Sequence, residues 1–591
     1  MRSIFRFLLL AASLVPALGV SQAGLAQTAS AAQAGQDAVG DWIGAIEVTP
    51  GNRIPLLVHI KRDAAGVLSG TMDSPLQGAM GIPLAGVKAD AGSLSFDVPS
   101  IAGSYKGQWL DENKLWRGEW SQAGQHWPLA FVVPPPPQPL PADWQLPPDA
   151  DIAKLIADRN TGRPGQGIVV GMLDKTGARF VAGGSGVAAK VDRDTLFEIG
   201  SISKVFTALL LADMVNKHEV SLDDPAEKYL PKGHHMPARG GRQITLRDLS
   251  THRSGLPRMP DDMGRADGVD NPFADYGEDK LLAFLDRYKL TRDIGSQWEY
   301  SNLGAGLLGY LLGRAAHSDY ETLLRKRITG PLGMKSTMIT LKGANLARLA
   351  PPFDRYMRPA KRWDISLFAG AGGIRSSAAD MLIFAKAVLD PRSPIAAAVK
   401  TALAVRVPGQ APQVDQALGW QIMHLPTDHE LVLHDGETGG YQTILALEPS
   451  KGRAVVALAN SQAQPPPADI ALHALVGMAV GPTPPVPAPP PPPTQHTEIT
   501  LPADALDKFV GRYDFGPGFT VAVTRDGATL KVLREEAPGA QPLPVYPEAP
   551  LSFFWKALDA SIRFTIDAGG AVTGAEIKQG SATFAGKRIT P

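Results

Sequence analysis

Ser201 and Lys204, three residues apart in the run Phe197-Glu198-Ile199-Gly200-Ser201-Ile202-Ser203-Lys204-Val205, are the pair whose types and spacing most directly suggest chemistry. The run is apolar and β-branched up to Gly200, then reads as a helix through Val205, Ala208, Leu209, Ala212 and Val215. Positions i and i+3 share a helix face, so hydroxyl and amine point the same way. A neutral serine hydroxyl is a poor nucleophile, and Lys204 can take its proton only where burial or nearby cations lower the amine's pKa. A serine at a helix N-terminus also gains backbone N–H groups and positive dipole charge for a developing oxyanion. Ser-x-x-Lys is short enough to recur by chance, so the reading needs partners elsewhere in the chain.

Two later stretches supply candidates. In Gln297-Trp298-Glu299-Tyr300-Ser301-Asn302-Leu303-Gly304, a phenol stabilised beside a lysine can exchange protons with the serine, and Asn302 can orient both Lys204 and a substrate amide. The plain alternative is that Tyr300 and Asn302 merely cap a helix starting near Gly304. In His434-Asp435-Gly436-Glu437-Thr438-Gly439-Gly440-Tyr441, a glycine-rich strand edge lets a substrate backbone approach, and the N–H of Glu437 can complete an oxyanion hole with that of Ser201. Its plain alternative is a hairpin turn.

Taken together and in this order, the three runs resemble the serine β-lactamase and penicillin-recognising family, specifically its class C, DD-peptidase and esterase-like branch. The resemblance extends to residues 244–257, to Gly330-Pro331-Leu332-Gly333-Met334, to Ala371-Gly372-Gly373-Ile374-Arg375-Ser376 and to Leu418-Gly419-Trp420. It implies an α+β fold, an antiparallel sheet with helices plus a helical subdomain, here flanked by two small all-β domains. It also implies Ser201 as nucleophile, Lys204 and Tyr300 as the proton-transfer pair, Asn302 as a ligand of substrate and lysine, and His434 and Gly436 lining the substrate edge. The reaction would be acylation of Ser201 by an amide, ester or lactam carbonyl, followed by hydrolysis. No metal or other cofactor is expected; His234-His235 is most simply a polar loop.

The third run departs from the family's Lys-Thr-Gly, whose lysine and threonine help to hold a substrate carboxylate. Here a histidine stands first, followed by an acid, Asp435. Histidine at this place resembles some peptidase and aminopeptidase members. Asp435 can either favour a cationic amine on the substrate or turn away and stabilise His434 as a cation. The expectation is a hydrolase of peptide amides or esters, with a true class C β-lactamase and a catalytically silent penicillin- or peptide-binding protein as the competing readings.

These motifs must be positioned by a large central segment, residues 149–481. It opens with a helix near 152–159 and a hairpin around Asp174-Lys175-Thr176-Gly177, continues with amphipathic stretches at 280–288, 304–315 and 320–328, and returns to strands at 430–433, 443–448 and 454–459. Strands at both ends imply one sheet whose halves lie far apart in sequence. Residues 40–133 alternate like short strands, with Leu56, Val58 and Ile60 opposite Leu57, His59 and Lys61, and form a small barrel or sandwich. Trp42, Trp109, Trp116, Trp120 and Trp127 lie there, either as a carbohydrate platform or, as we expect for several of them, as packing. Proline-rich linkers at 134–148 and 482–498 bound the central segment, and residues 499–591 read as another β-domain, in which Phe509-Val510-Gly511-Arg512-Tyr513 resembles domains that accompany such hydrolases.

With 591 residues, 44% of them apolar, the chain can build several cores, and its zero formal net charge asks for no nucleic-acid partner. Arg2 and Arg6, the apolar run 7–20 and small residues to Ala26 read as a signal peptide, residues 1–26. Without cysteine there is no disulfide or thiol chemistry, and no later run reaches the roughly 18 uninterrupted apolar residues of a membrane span. The expected setting is export, most simply to a bacterial periplasm. The expected partner is a small molecule or peptide with an amide, ester or lactam carbonyl.

Overall fold

The computed structural model describes residues 37–589 apart from 50–51, 75–78, 91, 102, 123–124, 135–139, 142, 187–189, 264–270, 412, 427–428, 490–494, 517–518, 536–541, 557–558 and 580–581. The expected signal peptide, 1–26, lies outside the described residues.

One antiparallel sheet of eight strands organises the central segment. In chain order these are β1 (Gly167–Asp174), β2 (Gly177–Gly184), β3 (Val407–Pro408), β4 (Val414–Gln416), β5 (Gln421–His424), β6 (Glu430–Glu437), β7 (Gln442–Glu448) and β8 (Arg453–Ala459). Their spatial order is β2-β1-β8-β7-β6-β5-β4-β3. The first strand therefore lies beside the last, Ile168 facing Ala459 in register, which joins two halves separated by more than two hundred residues. Both faces are covered. Along β1, Ile168, Val170 and Met172 pack with Ile152 and Ile156 of α1 (Asp149–Asn160) and Ile470 and Leu475 of α5 (Ala468–Val476). Val169 and Leu173 point the other way, into the core built by α2 (Ser203–Asn216), α3 (Asn302–Ala315) and α4 (Ala378–Leu389). Burial on two faces explains why β1 reads as a continuous apolar run rather than an alternating one.

Helix α2 is enclosed on every side. Every residue from Ser203 to Ala212 is buried, and Phe206 stacks on Phe384 of α4 with ring centroids 4.3 Å apart. A helix apolar around its whole circumference belongs inside a core, so Lys204, on α2, and Ser201, in the turn just before it, are held by a fully enclosed element.

The N-terminal domain is a nine-stranded sheet whose first strand, Gly40–Thr49, pairs with both its second, Asn52–Arg62, and its ninth, Gln125–Val132. The strands at its two edges, Ala79–Pro83 and Ala85–Asp90, are consecutive in the chain with only Leu84 between them. A sheet whose edges are joined by one residue must curl round on itself, and Trp42, Trp116 and Trp120 fill the interior. Trp109 and Trp127 pack against this core at its margin. The tryptophans are packing residues. Residues 511–589 form a closed eight-stranded barrel in which Arg512 faces Ile589, enclosing Phe509, Tyr513, Phe553 and Phe564.

Both proline-rich segments are docked where they leave the central domain. Trp144 Nε1 donates to Ala474 O at 3.0 Å and its ring meets His473 edge-on. On the other side Arg159 reaches Thr483 and binds Asp469 through two nitrogens, at 3.1 and 2.6 Å, with both side chains at most 2% exposed. Replacing Asp469 by alanine would leave that guanidinium buried without its counter-ion. The expected cost is about 3–5 kcal/mol, read as a shift of the central domain's transition in urea unfolding.

Candidate active site

The turn that carries Ser201 is shaped by contact with the sheet edge. Ser201 lies in a single 3₁₀ turn, Gly200–Ile202, and α2 begins at Ser203, two residues later than the sequence pattern suggested. Gly200 has φ +54°, and a Cβ there would come within 2.6 Å of Glu437 N. The neighbouring constraint is equally tight, since a Cβ on Gly436 would stand 2.0 Å from Ile199 O, which also accepts from Thr443 Oγ1 at 2.9 Å. Glycine at 200 and 436 is what lets the serine turn and the end of β6 approach this closely.

β5 pairs with β6 only along residues 430–433, whereas β7 pairs with it through 437. From His434 onward one side of β6 therefore faces the site rather than another strand. Thr438 N donates to Tyr441 O across the hairpin turn, so by antiparallel alternation Glu437, opposite Gln442, directs its N–H to that same side, towards Gly200.

Lys204 is buried, and its Nζ stands 3.0 Å from Ser201 Oγ, 2.8 Å from Asn302 Oδ1 and 2.7 Å from Ala371 O. Burial pushes the amine's pKa far below 10.5, the Arg258 cation adds to this, and Asp435 opposes it. A neutral amine donates two hydrogens, here to Asn302 and Ala371, and keeps a lone pair for the serine hydroxyl. Asn302 is free for this because it is not the cap of α3. Ser301 caps the helix, accepting from Gly304 N at 2.8 Å and donating to Pro257 O at 2.7 Å.

Tyr300 hydrogen-bonds Ser201, and burial raises its pKa, so the phenol keeps its proton at neutral pH. Its ring lies 4.8 Å from Lys204 Nζ and 4.9 Å from the Arg258 guanidinium carbon. The residue that fixes it was not identified from the sequence. His252, in the left-handed region at φ +59°, accepts Glu299 N on its carbonyl at 2.8 Å and Ser301 N on Nδ1 at 3.1 Å, and its ring lies 4.6 Å from that of Tyr300. It thus holds the residues on both sides of the tyrosine. His252, Arg258 and the Ala371 carbonyl all fall within stretches that carried the family resemblance or adjoin one, which was the available signal.

His434 is 1% exposed, with Nδ1 2.6 Å from Asp435 O. A carbonyl only accepts, so Nδ1 is assigned the proton and Nε2 the lone pair. Burial, the largest cause, pushes its pKa down to about 3, and a proton on the neighbouring Lys204 would push the same way. Of the two roles open for Asp435, stabilising a histidine cation is excluded; its Oδ1 is 3.9 Å from Nδ1, and His434 is neutral. The Glu437 side chain turns to Gln462 Nε2 at 3.2 Å. Ser201, Lys204, Tyr300, Asn302, His434, Asp435, Gly436 and Glu437 are thus brought together, while His234 lies elsewhere, on Asp286 at 2.8 Å. Among the described residues no cluster of histidines and carboxylates is arranged to hold a metal ion.

The family model described as Beta-lactamase matches residues 152–478, more than half of the chain. The chain belongs to the beta-lactamase family. This family's members are serine hydrolases, and the chain is one of them. A D-alanyl-D-alanine-carboxypeptidase/endopeptidase, AmpH, of Escherichia coli (strain K12) is 30% identical over 324 residues, 51% of this chain and 81% of that protein. A beta-lactamase of Pseudomonas fluorescens is 27% identical over 309 residues, 46% and 80% of the two chains. A solved beta-lactamase/D-alanine carboxypeptidase from Yersinia pestis aligns over 56% of this chain and 97% of its own at 26% identity, with a TM-score of 0.48. Residues 495–590 match a separate family, a domain of unknown function (DUF3471).

Two outcomes follow from this geometry. Gly436→Ala would drive a methyl group into Ile199 O, so hydrolysis should fall by at least about 100-fold in a chain that still folds, measured as kcat/KM beside circular dichroism. His434 holds a proton far less readily folded, at about 3, than unfolded, at 6.5. Its contribution to stability is therefore present above 6.5 and lost as pH falls from 6.5 towards 3. His434→Asn should flatten that part of a plot of urea midpoint against pH.

Proposed function

We propose that this serine hydrolase is an exported enzyme that forms an acyl-enzyme on Ser201 with peptide amides or esters in preference to penicillin- and cephalosporin-type lactams. The observation that carries the catalytic reading is the buried Lys204 amine 3.0 Å from the Ser201 hydroxyl, its pKa held far below 10.5 by burial. The substrate preference rests on the third motif, where a neutral His434 stands in place of a cation that would hold a lactam carboxylate.

The steps follow from the protonation states. Ser201 Oγ attacks the carbonyl carbon as its proton passes to Lys204 Nζ, and the carbonyl oxygen becomes an oxyanion facing the N–H groups of Ser201 and Glu437. Tyr300, still protonated, gives its proton to the departing nitrogen or oxygen as the bond to carbon breaks, and recovers one from the lysine ammonium. Water then attacks the ester on Ser201 and loses a proton to the same pair, which releases the acid and restores the serine. Asn302 keeps the amine aligned throughout. A protein that only bound ligands would have no use for these four groups in mutual contact. Relatives named D-alanyl-D-alanine-carboxypeptidase and beta-lactamase keep both chemistries in view. Export, most simply to a periplasm, is part of the proposal on the strength of the N-terminal sequence alone.

The test is turnover of nitrophenyl esters, a D-amino acid amide and a cephalosporin, with intact mass followed in parallel. Ester or amide turnover should vanish in Ser201→Ala, while the cephalosporin leaves at most a slow adduct. Comparable turnover of the cephalosporin would make the enzyme a lactamase; neither turnover nor adduct would leave a binding protein. Lys204→Ala should cost about 10²–10⁴-fold in kcat/KM. Because the base works deprotonated, kcat/KM should rise with pH through the lysine's own pKa. That limb should lie far below 10.5 and persist in His434→Asn.

A further inference from the structure

One charged side chain at the site has no part in the proton transfers. Arg258 is bound through its main chain to the start of α3, its carbonyl accepting Asn302 N at 3.0 Å and Leu303 N at 3.1 Å. Its guanidinium carbon lies 4.9 Å from the centroid of the Tyr300 ring. The charge is close enough to lower the pKa of Lys204, Tyr300 and His252 alike.

Yet this arginine has no carboxylate of its own among the described residues. Other arginines nearby do: Arg242 binds Asp248 at 2.8 Å, Arg287 binds Asp261 and Asp262, and Arg292 binds Glu299. Arg258 Nε is buried and donates to nothing among the described residues, and no ion pair involves its other nitrogens there. A partly desolvated guanidinium without a counter-ion is unfavourable, and the fold holds it beside the nucleophile's own partner. The other candidate cations have a weakened hold on their protons, Lys204 and His252 being well below their usual range and His434 at about 3. Among the described residues Arg258 is therefore the standing positive charge at the reacting serine. A planar fork of donors with unsatisfied positions fits a carboxylate.

We propose that Arg258 receives an anionic group of the substrate, a carboxylate within reach of the Tyr300 ring, so that the enzyme selects acidic esters or amides over neutral ones of the same size. This rests on the hydrolase reading above, and it places the anion beside the Tyr300 ring and not at the β6 edge, where the family's third-motif lysine stands. Asp435 fits the assignment, since its charge disfavours an anion at the β6 edge and leaves the Arg258 side as the place for one.

The experiment compares matched substrates within each enzyme form. One pair carries the charge on the acyl chain, nitrophenyl hemiglutarate against nitrophenyl valerate. A second carries it on the leaving group, 3-acetoxybenzoate against phenyl acetate corrected for leaving-group reactivity with hydroxide. Wild type should prefer the anionic member of at least one pair by about 10-fold or more in kcat/KM, chiefly through KM. In R258Q that ratio should collapse towards one, and R258K should keep part of it. Removing the cation also raises the lysine pKa, moving the acid limb upward for every substrate, so the ratios are taken above that limb. A wild-type ratio near one in both pairs, or a preference that survives R258Q, overturns the assignment and leaves Arg258 only the tuning of Lys204. Loss of turnover on all four esters would instead count against the hydrolase reading. In that case the relative affinity of 3-carboxyphenylboronic acid and phenylboronic acid, in wild type and R258Q, decides on Arg258 by the same collapse of ratio.

Discussion

A lysine amine held away from water is the constraint from which the rest of the active centre follows. An ammonium group is expensive to bury, so Lys204 is stable at its depth only by giving up its proton or by finding acceptors for every hydrogen. The fold combines both solutions. Ala371 O and Asn302 Oδ1 take the two hydrogens of the neutral amine, and the remaining lone pair is left to the serine. These groups come from three places: α2, the first residue of α3, and the short turn Ala369–Gly372. Each is fixed by packing that has nothing to do with chemistry. The enclosure of α2 keeps water from the amine, and the Ser301 cap sets where Asn302 begins.

A second demand is that Ser201 meet a sheet edge without being displaced by it. The approach of residues 199–200 to 436–437 is a backbone-to-backbone contact, which is why two glycines are needed and no side-chain complementarity would serve. Behind it, Glu198 and Arg375 form a buried pair at 3.2 Å, and Glu198 also accepts Trp363 N at 2.9 Å. The strand leading to Ser201 is thereby bound to the segment that flanks the turn after β6, where Trp363 lies so close to Gly439 that a Cβ there would meet its indole nitrogen at 2.3 Å. The serine turn and the third motif therefore form one assembly.

Much of this was legible in the sequence, and the exceptions share a cause. Spacing put Ser201 and Lys204 on one face of a helix, and although Ser201 lies in the turn before that helix the two side chains do meet; the return of apolar runs near 443–459 foretold that the ends of the domain share a sheet, as the Ile168–Ala459 register shows. Alternation at Leu56, Val58 and Ile60 marked strands correctly, but alternation carries no information about strand order. A barrel or a sandwich was expected for the first domain, but that its two edges meet across the single residue Leu84 could not be read. The same holds for main-chain contributions. Nothing about the alanine at 371 announces a carbonyl aimed at a lysine, and the choice between Ser301 and Asn302 as cap depends on where α3 starts, a matter of one residue. His252 escaped notice because its work is done by a backbone carbonyl, a left-handed φ and a ring nitrogen together.

The third motif shows how a single residue decides what this geometry can recognise. A lysine at 434 would add a cation next to Lys204, lowering that amine's pKa further and presenting donors to a carboxylate at the strand edge. A neutral histidine with its proton committed to Asp435 O does neither. It adds no cation to the end of β6, where the donor left for an anion is the Glu437 N–H. The lowering of the Lys204 pKa must then come from burial and from Arg258, on the loop that precedes the Tyr300 motif. Charge that activates the base and charge available to the substrate have become the same guanidinium. Occupying it with an anion would weaken its effect on Lys204, so a substrate that neutralises Arg258 raises the amine's affinity for a proton at the moment the amine is required to accept one.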